Sequence, residues 1–398
     1  MPDTLITEPS ISRKLVRLPL LVLIAFSGTL AMHIFVPALP QAASALRADS
    51  QIIQLTITIY ILGLALGQLI YGPLSDAIGR RPAVFGGLCI YMLGSVAAYF
   101  APTVEWLIAA RLMQSLGGAG GLVLTRAIVS DMARGANATR GLALLNLVLL
   151  VAPGFAPIIG AYISEHLGWN AIFLSLALMA AFTMLCCIRG LPETAIPTGE
   201  VRLRMVATDF MGLLGNPRFL TPSLGGSFAS TGCYAYFVVA SFILNVDMGL
   251  DIELVGYLIA LTLVAAAAGS VTARIISGRI NNRRVMISIS IAATLNALAF
   301  LTGALTGWLT PAAVVIMSCV TLYCAGVLSP MALGVALSNA GKQAGSAAGI
   351  YGFFQMSSGV ICTFIVGLFA DHALGCGIGL TLAYGFSTIQ FLRKGMTR

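Results

Sequence analysis

Apolar runs of about twenty residues or more recur some twelve times along this chain, and a run of that length must face lipid or another such run. Bounded by charge, Gly or Pro, they fall at 17–40, 51–75, 82–102, 105–131, 138–163, 169–190, 218–246, 253–276, 284–304, 309–338, 345–370 and 373–392. Of the 398 residues, 58% are hydrophobic and 9% charged, whereas a soluble domain carries roughly 25% charged residues. That is too little charge to cover a water-facing surface. Backbone polar groups inside a bilayer must be satisfied within each segment, so the fold class is an all-α membrane protein of twelve transmembrane helices.

The net charge of +8 would suggest a nucleic-acid partner in a soluble chain, but its placement says otherwise. Of 22 Lys and Arg, 20 fall in the N-terminus, the even-to-odd connections or the C-terminus, with Arg47 and Arg111 the exceptions. Asp49, Glu105, Glu165, Asp247, Asp251, Glu253 and Asp371 fall at the opposite ends. Short Lys/Arg-rich loops stay cytoplasmic. The expectation is a multi-pass protein of the inner membrane with both termini in the cytoplasm. The first apolar run is too long for a signal-peptide core. The polar stretch Leu191 to Pro217 falls midway and reads as a cytoplasmic connector between an N-terminal six-helix half (1–190) and a C-terminal one (218–398). The eight Cys lie almost entirely inside apolar runs and form no CxxC, so they read as small core residues. No cofactor, metal or nucleic acid is expected; the expected partners are a small-molecule substrate, protons and lipid, and the expected state is a monomer.

Three motifs carry chemistry. Gly72-Pro73-Leu74-Ser75-Asp76-Ala77-Ile78-Gly79-Arg80-Arg81-Pro82 joins the second and third spans. An Asp at a membrane boundary before an Arg pair is unusual; Gly79 suits a tight turn and Pro82 a helix's first turn. Arg111 lies on the fourth span with Gln114 and Gly117. An intramembrane Arg is a functional-site hypothesis by default, against snorkelling to the headgroups. The fifth span contains Pro153-Gly154-Phe155-Ala156-Pro157-Ile158-Ile159-Gly160, whose prolines and glycines kink or loosen a helix.

The first motif resembles the signature loop of the major facilitator superfamily. That resemblance implies two parallel six-helix repeats with a site at their interface and a gating set of Asp76, Gly79, Arg80, Arg81 and Asp131. Ala77 stands where the family often has a basic residue. The Arg-x-x-Gln-x-x-Gly of the fourth span resembles the family's proton-coupling motif, and Pro153, Gly154, Pro157 and Gly160 resemble its antiporter motif, which implies export. Further strings are Val36-Pro37-Ala38-Leu39-Pro40, Thr125 to Asp131, Gly168 to Phe173, Ala240 to Leu244, and Ala344 to Gly349 with Gln355. Together they resemble the bicyclomycin and chloramphenicol resistance exporters (Bcr/CflA) among the drug:proton antiporters.

Where that group places a membrane-embedded Asp, just before the Pro-Ala-Leu-Pro string, this chain has His33. By rise alone His33 and Arg111 share a depth of roughly 10 Å, and His is the side chain most easily titrated near neutral pH. The proton-coupling or substrate-binding set is therefore His33, Arg111 and Gln114; a hydrogen-bonded packing His is the plainer alternative. Tyr234, Tyr236, Phe237, Tyr323 and Asn339 are further cavity candidates. The leading expectation is proton-driven export of drug-like or amphipathic compounds by alternating access. Export of an anionic endogenous metabolite, such as a siderophore or organic acid, competes with it, since Arg111, His33 and the missing Asp would make the cavity cationic. A membrane sensor or lipid flippase is weaker, and no catalytic set of residues points to an enzyme.

Overall fold

The structure is a computed structural model that describes residues 18–132, 155–195, 197–199, 203–277, 279–339 and 344–393. Among these residues the chain is helical almost throughout, and extended pairing is limited to an isolated bridge between Ser277 and Ile280. The first group of helices comprises α1 (Leu18–His33), α2 (Leu39–Ala45), α3 (Ser50–Ile78), α4 (Arg80–Tyr99), α5 (Val104–Met132), α6 (155–167) and α7 (Ala171–Gly190). A short α8 (Leu203–Leu214) follows, then α9 (Pro217–Thr231), α10 (Tyr234–Phe237), a π-helix (Phe242–Asp247), α11 (Ile252–Ile276), α12 (Asn282–Thr306), α13 (Pro311–Ser338), α14 (Ala344–Gly367) and α15 (His372–Leu392). Among the described residues, eleven segments are long and apolar enough to cross a membrane. The fifth expected span is represented by α6, and its first part lies outside the described residues.

Two spans are broken rather than continuous. The first runs Pro19–Ala45 but its helix stops at His33, passes through a 3-10 turn at Val36–Ala38 and resumes as α2. Pro37 is the cause: it has no N–H to give the carbonyl of His33, four residues back, and its ring crowds that carbonyl. His33 is therefore the last residue of a helix, not a mid-helix position as the apolar run implied. The seventh span, Pro217–Asp247, is likewise divided into α9, α10 and the π-helix. The expected polar connector is not featureless, because α8 folds within it.

α1, α3, α4, α5 and α7 pack on one another, and α9 and α11–α15 do the same, while α3 and α14 pack across the two groups. Glycine makes the close approaches possible. A Cβ on Gly63 or Gly67 would run into Ser115 and Ala119 of α5, and one on Gly121 into the backbone of Ile24. Small residues at such crossings let backbones meet in lipid. Gly349 of α14, by contrast, has nothing within 4 Å of its Cβ position.

The helix ends sort by charge into a basic end, with Arg80, Arg81, Arg189, Arg279, Arg283 and Arg284, and an acidic end, with Asp49, Glu105, Asp247, Asp251, Glu253 and Asp371. The two groups meet toward the acidic end. Ser241 Oγ donates to the Val36 carbonyl at 2.5 Å. A Cβ on Gly256 would lie 2.7 Å from Ala161 and 2.9 Å from the Pro157 carbonyl. The Gly359 Cβ position abuts Tyr234 at 2.8 Å and Ile61 at 3.3 Å. Between the groups at that end lies a recess of about 540 Å³, lined by Pro40, Gln41 and Arg47 on one side and Phe242, Asn245 and His372 on the other.

Candidate functional site

Arg111 is fully buried within the first group of helices. Its Nη1 donates to the Ala31 carbonyl of α1 at 3.1 Å and to Gln114 Oε1 at 2.7 Å. Gln114 in turn donates to Ser95 Oγ of α4 at 2.8 Å. The guanidinium lies 4.1 Å from the ring centroid of Tyr60 and 5.4 Å and 5.7 Å from those of Phe35 and Phe173. Aromatic faces and carbonyl oxygens here take the place of a carboxylate in offsetting the charge. Nη2 is buried with no hydrogen-bond partner.

His33 faces the other way. Its ring meets Phe237 of α10 edge-on, with centroids 5.3 Å apart, so it touches the second group of helices. It is buried, and its Nδ1 has no partner. Among the described residues no hydrogen bond, ion pair or ring contact joins His33 to Arg111. The matched depth read from the sequence does not bring them into contact, because the two side chains leave their helices on different faces.

The cavity candidates separate in the same way. Tyr234 is half-buried beside Phe237, with centroids 6.2 Å apart. Tyr236 is fully buried beside Ser318 of α13 and Cys376 of α15, within its own group. Tyr323 donates to Thr272 Oγ1 of α11 at 3.1 Å. Asn339 caps the basic end of α13 and donates to the Val335 carbonyl at 2.9 Å. Sequence reasoning missed a hydroxyl-rich set near Tyr234: Gln355 donates to Ser230 Oγ at 2.9 Å, and Thr231 and Ser358 share a hydrogen bond of 2.7 Å.

At the basic end, Gly79 takes φ +99°, a conformation open only to glycine in practice, and turns α3 into α4. Arg80 bridges Asp76 at 2.6 Å and Asp131 at 3.0 Å and touches Ser75 Oγ at 2.5 Å. Arg81 lies 5.8 Å from the Phe85 ring centroid and donates to the Ile188 carbonyl at 3.1 Å. Glu193 was not singled out from sequence, yet it accepts from the backbone N–H groups of Arg80 and Arg81 at 2.8 and 3.1 Å. It sits on the positive end of α4, where a carboxylate is favoured. The connector is also tied to this loop through Thr198 N–H to the Asp76 carbonyl and Gly199 N–H to that of Ala77.

Of the antiporter motif, Pro153 and Gly154 lie outside the described residues. Pro157 and Gly160 are in α6, and Gly160 packs so closely on the Ile34 backbone that a Cβ there would collide with its carbonyl. The contact lies just after the break in the first span.

Long apolar helices in two packed groups, with a buried His and aromatic residues among the places where they meet, define a multi-pass membrane protein of the transporter type. The Major Facilitator Superfamily model matches residues 21–363, and the chain belongs to that family. It is 30% identical over 356 residues to multidrug resistance protein D of Escherichia coli strain K12, covering 86% of each chain. It is 34% identical over 170 residues to a chloramphenicol resistance protein of Pseudomonas aeruginosa, covering 42% of this chain and 41% of that one. Its fold matches the crystal structure of a D-xylose-proton symporter with TM-score 0.74 at 13% identity, covering 96% of this chain and 99% of the other.

Proposed function

We propose that this chain exports small drug-like or amphipathic compounds across the inner membrane by proton antiport and alternating access. Its halves are 1–190 and 218–398, joined by the connector 191–217, with both termini and the basic end in the cytoplasm. The resistance proteins it is similar to support the cargo class, and the basic bias of the short loops supports the orientation. The observation that carries the reading is the cross-group bond from Ser241 to Val36 at the acidic end. It fits a carrier closed to the outside, whose central site is reached from the cytoplasm. His33, with one ring nitrogen free at the interface, is the proposed proton carrier in place of the usual carboxylate, and Asp76 with Arg80, Arg81 and Asp131 is the proposed latch.

The test is flux of cationic, neutral and anionic amphipathic compounds into everted membrane vesicles with an imposed proton gradient. Accumulation that collapses with a protonophore is expected. Accumulation indifferent to the gradient would remove proton antiport, and no movement of any compound would remove export.

A further inference from the structure

Arg126 was grouped by sequence with the basic connection after the fourth span. In the structure it lies six residues before the end of α5 at Met132, about 9 Å inside the helix. It follows Arg111 by fifteen residues, about 22 Å nearer the basic end. The two arginines have opposite surroundings. Arg111 is enclosed and bonded, whereas Arg126 is solvent-accessible, although protein surrounds it. Among the described residues it makes no hydrogen bond or ion pair.

Its direction follows from its helical neighbours. Leu122, one turn earlier, packs on α1, where the Gly28 Cβ position lies 2.6 Å from its Cγ. Ala119, two turns earlier, packs on Gly67 of α3. At 100° per residue Arg126 falls between these two directions, so it looks into the gap where α1 and α3 separate toward the basic end. That is the end away from the contact between Val36 and Ser241.

Among the carboxylates whose side chains the structure describes, none is free to neutralise it. Asp76 and Asp131 are both paired with Arg80, and Glu193 holds the start of α4. The remaining described span-end acids, Asp49, Glu105, Glu165, Asp247, Asp251, Glu253 and Asp371, belong to the acidic end. An intramembrane cation persists where a partner or a water-filled cavity offsets its cost. A guanidinium reached by water and lacking a protein partner suits an oxyanion, which it grips with two parallel hydrogen bonds.

We propose that Arg126 is an anion-recognition site at the cytoplasmic mouth of the cavity, and that the cargo carries a carboxylate, sulfonate or phosphate group on an apolar body. This rests on the export reading above and narrows its substrate class. Arg126 meets the cargo's anionic group first, and the apolar body then moves toward Phe237 and Tyr234.

The test is equilibrium binding of dansylglycine and of its uncharged amide to the purified full-length protein, in phosphatidylcholine nanodiscs with and without phosphatidylglycerol. The wild type is expected to prefer the carboxylate by about tenfold, as one charge-assisted contact allows. Arg126→Gln should erase the preference and leave amide binding unchanged, and Arg126→Lys should restore part of it. Equal affinities in the wild type, or a preference that survives Arg126→Gln, would overturn the assignment. A preference abolished by phosphatidylglycerol would assign the oxyanion to lipid and overturn the cargo reading. If Arg126→Gln loses both probes, Arg126→Lys decides: a retained preference upholds the site and an absent one removes it. The vesicle panel separates the two levels. Transport of neutral and cationic compounds without a carboxylate preference would sink this inference alone, whereas no transport at all would sink the export reading with it.

Discussion

Arg111 Nη1 donates to the carbonyl oxygen of Ala31 at 3.1 Å, tying α5 to α1 two residues before Pro37 brings that helix to its end at His33. The same nitrogen holds Gln114, and the guanidinium face covers Tyr60. A lysine ammonium has no flat face and cannot reproduce this fork. Arg111→Lys should therefore cost about 2 kcal/mol of stability. Thermal unfolding of the detergent-solubilised protein checks this; an unchanged midpoint would show that the network is dispensable.

The Ser241–Val36 bond joins the two groups at the acidic end. In a background with the eight native cysteines replaced, Val36→Cys with Ser241→Cys should cross-link under mild oxidation and stop flux. Reduction should restore it. Continued transport by the cross-linked protein would mean that this end need not open.

Asp76 is 57% exposed and shares Arg80 with Asp131. An exposed pair of this kind contributes about 1 kcal/mol or less. Asp76→Asn should therefore leave unfolding nearly unchanged while lowering transport at equal expression, if the acid serves the proposed latch in the opposite conformation. Unaltered transport rates would rule out the latch.

Gly160 and Gly349 make a controlled pair. Ala at 160 must push α6 off the Ile34 backbone, at about 1–3 kcal/mol as for other overpacked sites. Ala at 349 enters open space and should be neutral or slightly stabilising, since Ala favours helix over Gly. Side-by-side melting curves check both, and equal effects would contradict the close approach.

His33→Gln keeps a polar side chain against Phe237 but cannot titrate. Gradient-driven flux should fall at least tenfold, as a rough expectation for loss of a proton carrier, while equilibrium binding of the same compound persists. Flux that keeps its pH dependence in this variant would move the carrier role elsewhere.

The chain's hydrophobic pattern determined the all-helical membrane fold by itself, because lipid leaves a backbone few ways to satisfy its polar groups. The Gly79 turn was legible too, since its φ of +99° needs glycine and the motif supplies one. Pairing was not legible. Arg111 and His33 looked equivalent at one depth, yet side-chain direction turned the first into the core of its own helix group and the second onto Phe237. Arg126 looked like one more positive charge at a loop, and only the packing of Leu122 and Ala119 on different helices set it in a gap. Glu193 carried no local signal, because the groups it serves lie more than a hundred residues earlier in the chain. Depth and helix type follow from local composition. Which face meets which neighbour depends on contacts between distant segments, and those only the tertiary structure decided.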